Sequence, residues 1–322
     1  MKKEKEEAIL RAFEELSWEP VKDKVEIELD SKVNRFSTLL FSMKNWKQIY
    51  SLLKKSADNG RAIFISNYFR SLNDIRRMIA YLMCSDYVYT LDFASKYYEQ
   101  FKGYSEQEAE NINNVLMNLL QEGILERSPE YLEFCESCEK LQIVGMGEED
   151  DKCDCGSRIF RIFRCSLNKN VKKSILTNQF LEIFVKNCLN STGLKLVSKE
   201  IDGKKVSTSI QYFVPTSPVE IDVAAVYGNW TFICECKTNR VRPKDVEKKF
   251  GQLQRLISSI RSEGVELKVI YLLVTTEEID KYVQPHAYIG SYDWLEDLVL
   301  IQGEDVYRLE EKLKDRVSML PH

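Results

Sequence analysis

Histidine is the scarcest of the chemically versatile residues in this sequence. Its 322 residues include only His286 and His322. Catalysis by histidine needs an imidazole beside the reacting group, so two histidines leave little room for histidine-based chemistry. The phosphate-binding pattern G-x-x-x-x-G-K-S/T is also missing. Any ATP-driven step would therefore need a partner protein, such as an ATPase or a helicase.

Long hydrophobic runs are missing too. The longest, at residues 269–274, is far shorter than the roughly 18 apolar residues of a membrane span. The N-terminal MKKEKEEAIL is charged and amphipathic rather than signal-like, so we expect a cytoplasmic protein with no membrane segment. Nine cysteines are present, but the cytosol keeps thiols reduced, so they do not indicate a disulfide scaffold.

Charge divides the chain into two unlike halves. Residues 1–150 have a formal net charge of −7 and residues 151–322 one of +3, within a total of −4. A polyanion would therefore be expected to meet the C-terminal half. With 44% hydrophobic and 30% charged residues, the composition is that of an ordinary globular protein. The length suggests on the order of two or three domains.

The predicted elements change in kind along the chain. Residues 1–70 form an N-terminal α/β region of unknown role, with a predicted helix over 4–16 and a predicted strand over 24–30. From residue 171 onwards strands alternate with helices. This pattern predicts an α/β domain over 171–322, with a mixed sheet covered by helices on both faces.

Residues 71–130 read as three helices. Ser105, with Glu108 three residues later, predicts a capping box at the start of the third helix. The stretch resembles a winged-helix domain, and DNA recognition by the third helix is one interpretation. Glu106, Glu108 and Glu110 crowd the end that would meet phosphates, which favours a structural or protein-binding role instead.

Residues 131–170 contain two closely spaced pairs of cysteines. The four are Cys135, Cys138, Cys153 and Cys155. Four thiolates suit a tetrahedral Zn²⁺, and a closed site of this kind is structural because no coordination position stays open for water. The stretch resembles a zinc ribbon, although its second pair is C-x-C rather than C-x2-C, so Cys165 stays open as a substitute ligand. Eight acidic residues against two lysines over 131–155 favour a metal that stabilises a small domain over one that contacts nucleic acid.

A β-hairpin is predicted over residues 218–240, PVEIDVAAVYGNWTFICECKTNR. Gly228 and Asn229 can form its two-residue loop, because Gly, and to a lesser degree Asn, tolerates a positive φ. That loop sets Tyr227 opposite Trp230. One face of the hairpin is wholly apolar apart from its tyrosine, and the other becomes apolar towards the turn. We therefore expect the hairpin to be central in the sheet and covered on both sides.

The same register predicts a cluster of charges at the open end of the hairpin. It places Asp222 opposite Glu235 and Glu220 opposite Lys237. Two carboxylates about 5 Å apart repel each other, and partial burial raises the cost unless a cation lies between them. Paired carboxylates suit a hard divalent ion such as Mg²⁺ or Mn²⁺. Lys237, on the same face as Glu235, would lie beside that ion, where it could orient water or offset phosphate charge.

These residues resemble the motif of the PD-(D/E)xK nuclease superfamily, which includes the restriction-endonuclease-like enzymes. Asp222 followed by Glu235-x-Lys237 matches that motif, although the sequence has EID where the family name has PD. The segment EIDVAAVYGN…ICECKT is similar in sequence to nuclease domains of prokaryotic defence effectors, including CRISPR-associated ones. The resemblance covers about residues 175–300. It implies an αβββαβ core, in which a mixed sheet is flanked by helices.

The resemblance also implies roles for particular residues. The implied ligands of a catalytic Mg²⁺ or Mn²⁺ are Asp222, Glu235, the carbonyl of Cys236 and, on the first helix of the core, Glu182. Lys237 would position the water as a base or stabilise charge. A glutamine recurs in the family on the helix after the lysine. Gln254 borders the apolar stripe of that helix and is preferred to Gln252.

The sequence therefore predicts a metal-dependent endonuclease that hydrolyses DNA, with RNA as an alternative substrate, in prokaryotic defence or DNA processing. In-line attack by water would break the P–O3′ bond. Basic residues over 237–249 would contact phosphates, or else form a solvated helix start. We expect a homo-oligomer, a dimer. The alternative is a nucleic-acid-binding or protein-binding regulatory adaptor with an inactive nuclease-like scaffold, in which the charges are a solvated strand end.

Overall fold

A computed structural model describes residues 2–83, 88–135, 137–138, 140–145, 152–214 and 217–321. The side chains of Lys22, Ser217 and His286 are not part of that description. His322 and six of the eight acidic residues counted in the zinc-ribbon stretch also lie outside the described residues. The six are Glu136, Glu139, Glu148, Glu149, Asp150 and Asp151.

Helices and strands are mixed along the whole chain. The helices are α1 (Lys2–Glu15), α2 (Lys22–Glu28), α3 (Ser31–Phe41), α4 (Trp46–Asn59), α5 (Leu72–Met83), α6 (Val88–Phe101), α7 (Glu106–Gln121), α8 (Lys169–Leu176), α9 (Gln179–Ser191), α10 (Pro243–Ser262), α11 (Pro285–Tyr288) and α12 (Leu309–Ser318). The strands are β1 (Trp18–Pro20), β2 (Ile63–Ser66), β3 (Leu125–Cys135), β4 (Leu141–Gly145), β5 (Ile159–Leu167), β6 (Lys195–Leu196), β7 (Lys199–Ile201), β8 (Lys204–Val206), β9 (Thr208–Val214), β10 (Ser217–Tyr227), β11 (Trp230–Lys237), β12 (Lys268–Thr275) and β13 (Leu295–Gln302). None of the helices in the described part of the chain has the length and hydrophobicity of a membrane span.

Two units divide these elements. The discontinuous unit consists of residues Met1–Trp46 and Thr177–His322, and the inserted unit consists of Lys47–Leu176. The division into four domains at residues 70, 130 and 170 stays a prediction. The first 46 residues group with the C-terminal stretch that carries the predicted hairpin.

A mixed sheet forms the centre of the discontinuous unit. Its strand order is β1-β9-β10-β11-β12-β13, with the short β6 also paired to β10. The pairs from β1 to β11 are antiparallel, and those from β11 to β13 are parallel. The predicted class, a mixed α/β sheet with helices, is confirmed. The hairpin of β10 and β11 is central, as predicted.

Side chains on both faces of this hairpin are buried. Ala224 and Ile233 belong to an apolar cluster with Phe250 of α10. Val223 and Phe232, which point the other way because strand side chains alternate, are buried as well. Both faces of the central strands are therefore covered, and the sheet can be reached only at the strand ends.

The N-terminal residues complete the discontinuous unit. β1 pairs antiparallel with β9 at the edge of the sheet. In α1, Ile9 and Phe13 are buried, and the ring of Phe13 lies 5.6 Å from that of Tyr212 in an edge-on arrangement. Burying a side chain of this size contributes about 1.5–3 kcal/mol to stability. The helix predicted over 4–16 is thus part of the core.

Helix α2 stands where the sequence predicted a strand. An alternation of apolar residues predicted a strand over 24–30, and this is wrong. Glu28 is buried at the end of α2, and its carboxylate accepts hydrogen bonds from the backbone N–H groups of Ser207 at 2.9 Å and Thr208 at 3.1 Å. Asp30 then caps α3, so one helix follows the other. These contacts with distant residues decide the local structure, which the alternation alone could not show.

The inserted unit combines helices with a second sheet of order β2-β5-β3-β4. The three helices predicted over 71–130 are α5, α6 and α7, and the capping box of Ser105 and Glu108 is confirmed. Glu106 accepts hydrogen bonds from the backbone N–H of Leu72 at 2.8 and 2.9 Å, so this carboxylate ties α7 to the start of α5. The winged-helix interpretation stays a prediction.

Candidate functional site

The hairpin of β10 and β11 carries the predicted active-site residues at its open end. Its ladder runs from Tyr227–Trp230 to Val223–Cys234, in the register predicted from the sequence. Gly228 lies in the loop with a φ of +64°, a conformation that glycine adopts without strain. The turn therefore sets the register, and the register sets which residues reach the open end.

Asp222 changes the pairing at that end. Its Oδ2 accepts a hydrogen bond from the backbone N–H of Cys236 at 2.7 Å. The predicted facing pairs Asp222–Glu235 and Glu220–Lys237 are not among the described ladder pairs. Asp222 is buried, and burial, followed by the negative charge of Glu235, raises its pKa well above the ordinary value. The two carboxylates thus still repel each other.

Two lysines hold Glu235. Lys237 Nζ lies 2.5 Å from Glu235 Oε1, and Lys249 Nζ pairs with Oε2. Lys249 also donates a hydrogen bond to the carbonyl of Glu220 at 2.6 Å. Burial would raise the pKa of Glu235, but the charges of Lys249 and then Lys237 outweigh it and lower the pKa. Glu235 is therefore ionised at neutral pH.

Lys249 is a site residue that sequence reasoning missed. It is only 8% exposed and lies on α10 between the buried Val246 and Leu253, three residues after the first and four before the second. Its position at the three- and four-residue spacing of the apolar stripe is the feature of the sequence from which Lys249 could have been predicted. Because it is buried, Lys249 is not one of the basic residues over 237–249 that could contact phosphates. The exposed ones are Arg240, Arg242, Lys244 and Lys248.

A lysine from α2 binds Glu182. Lys24 Nζ lies 2.9 Å from Glu182 Oε1 and 3.1 Å from Glu220 Oε1. It also donates to Ser209 Oγ at 2.7 Å, and Ser209 in turn donates to Glu182 Oε2. Burial raises the pKa of Glu182, and the charge of Lys24 opposes that shift. Both oxygens of the Glu182 carboxylate thus have a partner in this chain.

Helix α2 holds Lys24 firmly in this position. Gln179, at the start of α9, donates a hydrogen bond to the carbonyl of Lys24. Lys186, about two turns further along the same face of α9, lies 3.2 Å from Glu28 at the end of α2. The sequence did not reveal Lys24, because 158 residues separate it from Glu182 and its segment was predicted as a strand. No local pattern could have paired the two.

The inserted unit holds a second candidate centre, made of the four predicted cysteines. Their sulfur atoms all lie within 4.8 Å of one another. Cys135 Sγ lies 3.4 Å from Cys155 Sγ, and Cys138 Sγ lies 3.5 Å from Cys153 Sγ. Hydrogen bonds that the Ser157 hydroxyl and backbone N–H donate to its sulfur lower the pKa of Cys155 to about 6, towards the thiolate that a metal binds. The cluster could hold a metal such as zinc. Cys165 is buried on β5 and is not part of it.

Comparisons with known proteins find only distant likeness. No family model matches the chain, and no curated protein matches it. Among solved structures, protein VC1899 from Vibrio cholerae is 15% identical with a TM-score of 0.36, over 90% of this chain and 57% of that one. Can2 from Sulfobacillus thermosulfidooxidans, solved with cyclic tetra-adenylate, is 10% identical with a TM-score of 0.39, over 89% and 56%. The chain spans a little over half the length of these two proteins. Likeness at this level does not support a function for this chain.

Seven charged side chains of the discontinuous unit, linked by ion pairs, by backbone hydrogen bonds of Asp222 and Lys249 and by their charges, form what we call the carboxylate–lysine cluster. Its members are Lys24, Glu182, Glu220, Asp222, Glu235, Lys237 and Lys249. Carboxylate oxygens are the ligands that Mg²⁺ and Mn²⁺ prefer. The raised pKa of Asp222 marks a buried carboxylate with too little positive charge nearby, which a divalent cation would supply. The cluster therefore fits such an ion in donor type and in charge. The carbonyl of Cys236 stays a predicted ligand.

Gln254 lies further along α10 than the lysine that enters the cluster. Its Oε1 accepts a hydrogen bond from Trp294 Nε1 at 2.5 Å, and its amide lies 3.5 Å from Ser258 Oγ. It follows Lys249 by five residues, which is about 7.5 Å along a helix axis. The described contacts of Gln254 do not include a member of the cluster, and its catalytic role stays a prediction.

Proposed function

We propose that the chain is a metal-dependent nuclease that hydrolyses phosphodiester bonds of DNA. The observation that carries this proposal is the carboxylate–lysine cluster. Buried charges are costly, and burial, followed by the charges of Glu235 and Glu182, raises the pKa of Asp222 despite the two nearby lysines. Such an arrangement lowers stability and is typical of sites where a charged ligand binds. The motif resemblance supports a role in prokaryotic defence or DNA processing, with RNA as an alternative substrate.

Asp222 and Glu235, with the carbonyl of Cys236, would hold Mg²⁺ or Mn²⁺. When bound, such an ion supplies Lewis-acid activation of water and of a phosphoryl oxygen. Glu235 is suited to this role because its lowered pKa keeps it ionised at neutral pH. Glu182 stays a predicted further ligand, although both of its oxygens already have partners in the chain.

Lys237 would act on the substrate as a fixed positive charge. Burial would lower its pKa, but the charges of Glu235 and Asp222 outweigh burial and raise it. A lysine with a raised pKa stays protonated at neutral pH, so of its two predicted roles we propose charge stabilisation rather than proton abstraction. Its side chain is 38% exposed, which leaves the ammonium open to a phosphate at the strand end.

A regulatory adaptor with an inactive scaffold is the second candidate function. One contact favours it: Lys249 already pairs with Glu235 Oε2, one of the oxygens that a catalytic ion would use. If that pair does not open, Glu235 has only its other oxygen, which contacts Lys237, for a metal. The chain could then bind nucleic acid or a protein partner without cutting.

A cleavage assay separates these two functions. Purified protein is incubated with plasmid DNA, single-stranded DNA and RNA, each with Mg²⁺ or Mn²⁺. Asp222→Ala and Lys237→Ala are compared with wild type and with Lys314→Ala, which removes an exposed lysine that pairs only with Glu310 in the described structure. Cleavage by wild type and Lys314→Ala, lost in the other two, supports the nuclease. Equal cleavage by all four contradicts the site, and binding without cleavage favours the adaptor.

A further inference from the structure

Lys24 is built into the cluster as rigidly as the residues of the motif. Its side chain is 17% exposed, and its ammonium group touches Glu182, Ser209 and Glu220. Its backbone carbonyl is bound by Gln179. A surface lysine that merely rested against the sheet would lack these contacts on both ends. Lys24 therefore acts as a fixed cation at Glu182.

With its four carboxylates ionised, as they would be around a bound cation, and its three lysines protonated, the cluster has a formal charge of −1. One divalent cation changes this to +1, the opposite of the single negative charge on a phosphodiester. Two divalent cations would change it to +3. Electrostatic complementarity to the substrate therefore favours one ion over two.

The positions of the carboxylates agree with this count. Among the described residues, the four cysteines are the one group of three or more cysteine, histidine or carboxylate side chains placed to hold a single metal ion. Glu182, Asp222 and Glu235 do not form such a group. Asp222 and Glu235 lie on the paired strands β10 and β11, while Glu182 lies on α9 with the ammonium of Lys24 against it.

We propose that the active site takes a single divalent cation at Asp222 and Glu235, and that Lys24 supplies at Glu182 the positive charge that a second ion would otherwise provide. This inference rests on the proposed nuclease function. It makes Lys24, from the first helices of the chain, a positioning residue of the site. It also assigns Glu182 to Lys24 rather than to the metal.

Counting bound Mn²⁺ ions tests the proposal directly. The full, zinc-loaded chain is titrated with Mn²⁺ and followed by calorimetry and by the electron paramagnetic resonance of free Mn²⁺. Wild type should bind one Mn²⁺, and Asp222→Asn should weaken that binding by more than about 100-fold. Glu182→Gln should still bind one, with affinity within about threefold of wild type. Lys24→Met should gain a second site at Glu182 and Glu220, whereas Lys24→Arg, which keeps the charge, should not.

The outcomes distinguish this inference from the function on which it rests. Two Mn²⁺ ions in wild type, or loss of binding in Glu182→Gln, would overturn the single-ion site and leave a nuclease intact. No Mn²⁺ binding in wild type would overturn the proposed function as well. If Lys24→Met does not fold, the wild-type count and Glu182→Gln still decide the question. An unchanged count of one in a folded Lys24→Met would also contradict the role of Lys24.

Discussion

Asp222→Asn should make the metal-free protein more stable while abolishing cleavage. Asp222 is buried, and its pKa is raised by burial and by the charges of Glu235 and Glu182. Asparagine has nearly the same shape and keeps an oxygen that can accept the hydrogen bond from the N–H of Cys236. The substitution thus removes the buried charge and its repulsion but retains the hydrogen bond.

The expected gain follows from the cost of the charge. Removing an unfavourable charge in a folded protein commonly yields about 0.5–2 kcal/mol. For a unit of this size, each 1 kcal/mol corresponds to a shift in Tm of about 2–4 °C. Glu28→Gln is the matched control, because Glu28 is also buried but is bound by Lys186 and by backbone N–H groups. Since hydrogen bonds to a charged group are worth about 1.5–3 kcal/mol, this variant should be less stable than wild type.

Tryptophan fluorescence follows this unit by itself. The four tryptophans are Trp18, Trp46, Trp230 and Trp294, and all lie in the discontinuous unit. Thermal and urea unfolding are measured in buffer passed over a chelating resin, so that no Mg²⁺ or Mn²⁺ is bound. A lower Tm for Asp222→Asn than for wild type would refute the idea that the buried charge of Asp222 destabilises the metal-free protein. Equal losses in both variants would show that any buried carboxylate here is structural.

The pH dependence of this effect has a definite sign. The folded-state pKa of Asp222 lies above the ordinary value of 3.8, so between those two values the folded chain binds more protons than the unfolded chain. Stability of wild type due to this group therefore falls as pH rises through that window. The advantage of Asp222→Asn should be absent near pH 3.8, grow with rising pH and level off above the folded-state pKa. An advantage that shrinks with rising pH would contradict this reasoning.

Two further predictions concern the metals. The purified chain should carry about one zinc ion, measured by atomic spectroscopy, and should lose it when Cys135 and Cys138 are replaced by serine; zinc retained in that variant would rule out the cysteine centre. Lys249→Met leaves the buried Glu235 with one cation fewer and should destabilise the Mg²⁺-free protein by about 3–5 kcal/mol. Because a bound ion can replace the lost charge, added Mg²⁺ should raise the Tm of Lys249→Met more than that of wild type; an equal rise would contradict this.

The sequence predicted the centre of the fold better than its periphery. A two-residue turn at Gly228 and Asn229 fixes the hairpin register, since shifting it by one residue would turn every side chain to the other face. The confirmed pairs from Tyr227 to Val223 follow from that turn alone. The predicted pairs beyond Val223 are not found, because the side chain of Asp222 accepts the hydrogen bond of the Cys236 backbone N–H. A local rule for backbone pairing does not include that competition.

The two site residues that the sequence did not reveal were missed for the same physical reason. Lys24 and Lys249 enter the cluster through contacts between elements that are distant along the chain, and neither belongs to the motif of the resembled family. For Lys249 the sequence does contain a signal, since it is a charged residue on the buried stripe of α10. No such signal exists for Lys24, because Glu182, Ser209 and Glu220 lie 158, 185 and 196 positions away from it in the sequence. Long-range partners of this kind can be identified only once the chain is folded.

The discontinuous unit also has a consequence for synthesis. The ribosome makes Lys24 early and Glu235 late, and the whole inserted unit, Lys47–Leu176, is translated between them. At about 5–20 residues per second, that insertion alone delays the later strands by roughly ten seconds. A growing chain therefore holds an N-terminal segment that has no partner, and it cannot assemble the cluster until α9, β10 and β11 have emerged. If the chain cuts DNA, a copy that ends before β11 lacks Glu235 and Lys237 and could not cut with this cluster.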